Sequence, residues 1–263
     1  METHNIYSMM IDSLIELAEE KQAISASTTP KADPPTLRSV IADASPLPPE
    51  TLFLGLAEDG LPVLLNLNDS IAGPILIIGD KASGKTSLLQ MIASTAELLY
   101  IPSKVQYAVI TQYPNEWINL QKNANNVGVY TTQDNSAQEL LQSLVTWAHN
   151  NKSEKQSILL LIDDLEVLTK LNQKAEQNLR WLLLRGPSRH VWPILTVNAS
   201  QAHNIEAWLG FFRTRLFGRI QDAQVSQFIT GHSDKLLNEL TAGSQFTMLE
   251  GNNWLNFWTP GID

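Results

Sequence analysis

The sequence predicts an α/β protein: a mostly parallel central sheet with helices on both faces and a C-terminal β-hairpin. Three observations carry this. Short apolar strands alternate with amphipathic helical patterns between residues 74 and 198, the rhythm of a parallel sheet with helical crossovers. The run "SILLLI" (157–162) is apolar throughout, as a strand buried on both faces must be. Finally, "GPILIIGDKASGKTSLLQMIAS" (73–94) passes from an apolar strand through a glycine-bracketed turn into a helix, the context of a phosphate-binding loop.

Size and composition set the bounds. The chain has 263 residues, 43% hydrophobic and 17% charged, which is globular and long enough for one large domain with an appendage. No run approaches the ~18–20 apolar residues of a membrane span. The N-terminal "METHNIYSMMIDSLIELAEE" is acidic where a secretion signal is basic, so a cytoplasmic location is expected. Cysteine is absent and the five histidines are scattered, which excludes disulfides, thiol catalysis and thiolate metal sites. The net charge is −9, but residues 1–60 carry ten acids against Lys21, Lys31 and Arg38. The rest of the chain is close to neutral. Six of the seven arginines (Arg180, Arg185, Arg189, Arg213, Arg215 and Arg219) fall within 40 residues whose only acid is Glu206. A local positive cluster inside an acidic protein leaves the partner undecided by charge alone.

Residues 1–25 read as an amphipathic helix, with Ile6, Met10, Leu14 and Leu17 at helical spacing. The stripe either docks on a protein partner or neighbouring subunit, or packs on its own core. Residues 26–50 hold six prolines among serine, threonine and alanine, the composition of an extended linker. The domain then runs over 51–263. "TLFLGLAEDGLPVLLNL" places two apolar runs around Glu-Asp-Gly, a hairpin. Strands follow at 74–78, 105–110, 126–131, 157–162 and 192–198, with helices over about 84–99, 136–149, 173–184 and 222–230. "SQFTML" and "WLNFW", joined by Glu250-Gly-Asn-Asn, read as the closing hairpin.

Gly79-Asp80-Lys81-Ala82-Ser83-Gly84-Lys85-Thr86 fits G-x-x-x-x-G-K-[ST] at every defined position. The glycines let backbone N–H groups cradle phosphate at a helix N-terminus, which extends to Ser87. Lys85 neutralises the β- and γ-phosphates of ATP, and the Thr86 hydroxyl is a ligand for Mg²⁺. The second magnesium residue is Asp163, where the apolar strand "SILLLID" leaves the sheet. Asp164 stands where many P-loop motors carry a glutamate that polarises the attacking water. It is one methylene shorter, and misplacement by about 1 Å can cost on the order of 100-fold in rate. Glu166 is the alternative. The next strand ends in "TVN", which makes Asn198 either a γ-phosphate sensor or a strand-end turn residue.

Motif order excludes several nucleotide-binding classes. No N-K-x-D guanine reader follows the loop. The only segment like an ABC signature, "TAGSQ" (241–245), comes after the magnesium aspartate, and no arginine-rich lid of a small-molecule kinase lies between 100 and 150.

From about residue 51 onward the chain resembles the FtsK/HerA group of P-loop ATPases, in particular the FtsK/SpoIIIE domain. "LFLGLAEDGLPVLLNL" is similar to that family's opening hairpin, and the phosphate-loop segment, "ILLLIDDLEVL", "VWPILTVNASQA", "FFRTRLFGRIQDAQVSQFITG" and "LTAGSQFTMLEG" follow its order. The resemblance implies a RecA-like ATPase core that assembles as a homo-oligomeric ring, often a hexamer, with ATP at subunit boundaries. It implies arginines delivered in trans, for which Arg213 and Arg215 are the first candidates and Arg185 and Arg189 the next. It also implies movement of double-stranded DNA, as in the DNA translocases of this group. Three departures stand out. Asp164 replaces the family glutamate, Asn198 replaces a glutamine, and "ITQYPNE" (110–116) lacks the family's Asp-Pro-Lys. These keep two further readings open: a nucleotide-binding scaffold or partner subunit with little hydrolysis, and a secretion-type ATPase acting on protein.

Overall fold

The computed structural model describes residues 35–132, 135–151, 156–165, 172–232, 237–250 and 253–262. The helix expected over 1–25, Glu166 and the 251–252 turn lie outside them. Ten strands form one sheet: β1 (Thr51–Ala57), β2 (Pro62–Asn66), β3 (Ile75–Gly79), β4 (Val105–Thr111), β5 (Asn126–Tyr130), β6 (Ser157–Asp163), β7 (Val191–Asn198), β8 (Thr214–Phe217), β9 (Gln245–Glu250) and β10 (Asn253–Trp258). Their order is β2-β1-β10-β9-β8-β3-β7-β6-β4-β5. The stretch from β8 to β5 is parallel, and the two hairpins add an antiparallel half. The α/β class, the mostly parallel sheet and the closing hairpin are therefore those expected.

The helices are α1 (Leu37–Ala44), α2 (Lys85–Leu99), α3 (Ser136–Asn150), α4 (Gln173–Arg185), α5 (Glu206–Leu209) and α6 (Ala223–Thr230). Alternation along the strands divides the core between the two faces. Leu76, Ile78, Ile110, Leu160 and Ile162 pack with the apolar stripes of α3 and α4. Ile75, Ile77, Tyr107, Leu159 and Leu161 pack with α2, α1 and the opening hairpin. Each central strand is thus buried on both sides, as its unbroken apolar sequence requires.

The linker expected over 26–50 is corrected in part. Thr36 caps α1 by accepting the Ser39 amide, and Leu37, Val40 and Ile41 are buried. The proline-rich composition hid an i, i+3, i+4 apolar pattern, so the compact unit begins at Thr36 rather than at residue 51. Its first and last residues are stitched together: Thr36 bridges Gly261, and the Leu37 amide donates to the Gly261 carbonyl at 2.8 Å. A second tie fixes the opening hairpin to the end of α2. The Tyr100 hydroxyl accepts from Thr51 N at 2.8 Å and donates to Thr51 O at 2.5 Å.

Candidate nucleotide site

In a parallel sheet all C-terminal strand ends share one edge, and the crevice outside that edge is where α/β folds bind ligands. Register brings the expected residues there. Gly79 at the end of β3 lies beside Asn198 at the end of β7, and Asp163 at the end of β6 lies beside Thr111 at the end of β4. The loop 79–86 leaves β3 and enters α2 at Lys85. Ala82 (φ 63°) and Gly84 (φ 95°) are both left-handed, which turns successive amides inward to form an anion-binding concavity. Glycine is required at 84: a Cβ there would lie 2.5 Å from the Gly243 carbonyl oxygen. Lys81, Ala82 and Ser87 are exposed, whereas Ser83 is buried against Gly79 and Gly218. Ser83 therefore offers the site its backbone and not its hydroxyl.

Lys85 Nζ donates to the carbonyls of Gly79 (3.1 Å) and Asp80 (2.7 Å). Burial pulls its pKa below the ordinary lysine value, and the carboxylates of Asp164, Asp163 and Asp80, in that order, pull it back up. The cation thus sits among three acids at the mouth of the loop. Thr86 Oγ1 donates to Asp163 Oδ1 at 3.0 Å. A hydroxyl and a carboxylate this close are two hard oxygen ligands of the kind a magnesium ion takes alongside phosphate oxygens and water. Asp163 is itself buried. Burial pushes its pKa above the usual carboxylate range, against hydrogen bonding from Thr86 and Thr196, and Glu116 adds to the upward push. The Trp117 indole N–H faces the same carboxylate, without reaching full hydrogen-bond geometry. These residues fit Mg²⁺, which when bound would neutralise charge on the phosphates.

Asp164 has φ 76°. Its amide donates to Thr196 Oγ1 at 2.7 Å, and that hydroxyl donates to Asp163 Oδ1 at 3.1 Å. Asn198 stands on the nucleotide edge, beside Gly79, and its side chain accepts from Ser200 N at 3.4 Å, capping the following 3-10 turn.

The arginines separate by edge. Arg213 precedes β8, and Arg185 and Arg189 precede β7, so all three lie at the edge opposite the phosphate loop. Arg213 is exposed. Arg215 lies level with Leu76 of β3 and donates to the carbonyls of Leu209 (2.8 Å), Phe212 (3.3 Å) and Ile229 (3.3 Å). Arg180 pairs with Glu176 at 3.0 Å and lies 4.2 Å over the Trp208 ring. Arg219, just past β8, is the member on the nucleotide edge: its carbonyl accepts the Asp80 amide at 2.9 Å, and its Nε is buried without a hydrogen-bond partner. Sequence reading missed Thr196, Trp117 and this placement of Arg219. The signal for Thr196 was a lone hydroxyl in "WPILTVN"; for Trp117 no local signal exists.

No protein-family model matches the sequence, and no curated protein matches it. Solved structures do. EssC (ATPases 2 and 3) from Geobacillus thermodenitrificans superposes with a TM-score of 0.68 at 14% identity, over 83% of this chain and 48% of that one. Thermomonospora curvata EccC (ATPases 2 and 3), in complex with a signal sequence peptide, gives 0.64 at 14%, over 81% and 41%. The pCW3 conjugation coupling protein TcpA, with ATPγS, gives 0.65 at 15%, over 84% and 68%. The fold is that of the FtsK/HerA-type P-loop ATPases. The chain spans less than half the length of the EssC and EccC chains it matches. Among the described residues of this FtsK/HerA-type fold, no helix is long and apolar enough to cross a membrane.

Proposed function

We propose that the protein binds ATP·Mg²⁺ and hydrolyses ATP, as one member of a ring of copies that couples turnover to the movement of a polymer. The observation that carries this is the meeting of Lys85, Thr86, Asp163 and Asp164 on one edge of the sheet. In this reading the loop amides of 80–86 and Lys85 hold the phosphates, and Thr86 with Asp163 holds the cation. Asp164 orients the attacking water, and Asn198 senses the γ-phosphate from β7. Arg213, exposed on the far edge, is suited to reach the site of an adjacent copy, where a cation in trans is worth ~10³–10⁵ in rate in other NTPases. Arg215, committed to three carbonyls, is the weaker candidate.

The first polymer is double-stranded DNA. The second is polypeptide, favoured by the weak basicity of the core, with 15 bases against 17 acids over 61–263, and by the likeness to EccC, solved with a signal sequence peptide. The test measures ATP turnover of the purified protein with and without linear double-stranded DNA, with Lys85→Ala as the blank. Turnover raised several-fold by DNA, with a steep loss at higher salt, supports the DNA reading. Turnover indifferent to DNA moves the search to polypeptides. ATP binding without turnover refutes the motor reading and leaves a nucleotide-dependent scaffold.

A further inference from the structure

An aspartate at the water-positioning place is short, and the structure contains a device that bears on this. Asp164 adopts a left-handed backbone conformation, which a residue with a Cβ adopts only at a cost. Such a conformation persists only where its surroundings over-determine it. Here the Asp164 amide is held by Thr196 Oγ1 at 2.7 Å. Thr196 is 1% exposed, and as a β-branched residue in the middle of a sheet it has few rotamers to choose from. Its hydroxyl is engaged both as acceptor and as donor. A lone pair accepts the Asp164 N–H, and the single proton goes to Asp163 Oδ1 at 3.1 Å. One rigid hydroxyl therefore fixes the turn between the two acids and the direction of the first. Asp164 directly follows Asp163, at the end of β6 on the edge from which the phosphate loop leaves β3.

We propose that Thr196 is a positioning residue for hydrolysis: its hydroxyl locks the Asp163–Asp164 turn left-handed, and this turn carries the short Asp164 carboxylate to where water must be oriented. The proposal rests on the ATPase reading above. Thr196 is buried and its only hydroxyl proton is held by Asp163, so it acts through the turn and passes on no proton.

The test compares Thr196→Val, which keeps the shape and loses both bonds, with Thr196→Ser, which keeps both. Each is made in the full chain, alone and with Asp164→Ala. Thr196→Val should lower kcat on the order of 10- to 100-fold and leave KM for ATP within about threefold, the pattern of a step-specific loss. Thr196→Ser should restore most of the rate. In the Asp164→Ala background Thr196→Val should add less than about twofold, because residues acting through one another are non-additive. A loss that falls mainly on KM, that persists undiminished without the Asp164 carboxylate, or that serine does not restore overturns the proposal. Amide hydrogen exchange at Asp164, measured by NMR without nucleotide, reads the bond independently of activity. Exchange should quicken in Thr196→Val and stay near wild type in Thr196→Ser; unchanged exchange in both also overturns it. A wild type with a protected Asp164 amide and no turnover refutes the ATPase reading, and the hydrolytic role of Thr196 with it.

Discussion

Replacing Gly84 by alanine tests the phosphate loop through two separable costs. The first is conformational: at φ 95° a residue with a Cβ loses roughly 1–2 kcal/mol. The second is collision. The new Cβ would lie 2.5 Å from Gly243 O, 2.7 Å from Gly243 C and 2.9 Å from Gly243 Cα. All three are backbone atoms, which cannot rotate away as a side chain would. Either the loop before β9 or the phosphate loop must retreat by on the order of 1 Å, and overpacking of this kind costs about 1–3 kcal/mol. The sum, about 2–5 kcal/mol, should lower Tm by roughly 4–15 °C in a chain of this size. Gly60→Ala supplies the control: its φ is 82°, but nothing lies within 4 Å of the added Cβ. It carries only the conformational cost and should lower Tm by about 2–6 °C. The assay is thermal unfolding of both variants beside titration with a fluorescent ATP analogue. Gly84→Ala should weaken nucleotide binding by more than tenfold, and Gly60→Ala should leave it unchanged. Equal Tm shifts with unaltered affinity in both would refute the close approach of residues 84 and 243.

Other outcomes follow from single contacts. Lys85→Ala should abolish ATP binding in the same titration, because the half-buried cation proposed to hold the phosphates is lost, while Tm stays within a few degrees. Tyr100→Phe strands both the amide and the carbonyl of Thr51; at about 1–3 kcal/mol for each unsatisfied buried group, reduced because both contacts are only partly buried, urea unfolding should show a loss of about 2–4 kcal/mol. Arg215→Ala, stripped of three carbonyl partners, should destabilise by about 2 kcal/mol. Arg213→Ala should leave stability unchanged and, if it serves a neighbouring copy, lower turnover alone. Burial pushes the Tyr107 phenol well above the ordinary tyrosine range. The unfolded chain therefore ionises first as pH rises past about 10, and stability falls there; Tyr107→Phe should flatten that alkaline slope in urea midpoints taken between about pH 9 and 11.

Much of this was legible in the sequence because the informative signals are local. A buried parallel strand must be apolar along its whole length, and the phosphate loop is eight contiguous residues. Asp163, the proposed magnesium residue, ends such a strand and could be found by that rule. What escaped is non-local. Thr196 reaches Asp163 and Asp164 because β7 is hydrogen-bonded to β6, a neighbour relation that chain order does not contain. Arg215 and Arg219 are four residues apart and look equivalent in a cluster; the course of β8 sets one toward the far edge and the other beside the phosphate loop. The helix Leu37–Ala44 escaped for another reason. Two turns of apolar spacing are too short to outweigh the prolines on either side, and only burial against the core makes that helix worth forming.

The bridge between Thr36 and Gly261 means that the compact unit is nearly a closed loop of chain. A unit whose two ends meet can be spliced into a longer polypeptide without separating the points it interrupts. It can also be cut elsewhere and rejoined: a circular permutant linking residue 261 to residue 36 through a few glycines, reopened at the exposed Asn68–Ser70 turn, keeps every strand neighbour in place. A tether placed at this junction would pull together on the chain leading into β1 and out of β10, two strands that are hydrogen-bonded neighbours inside the antiparallel half.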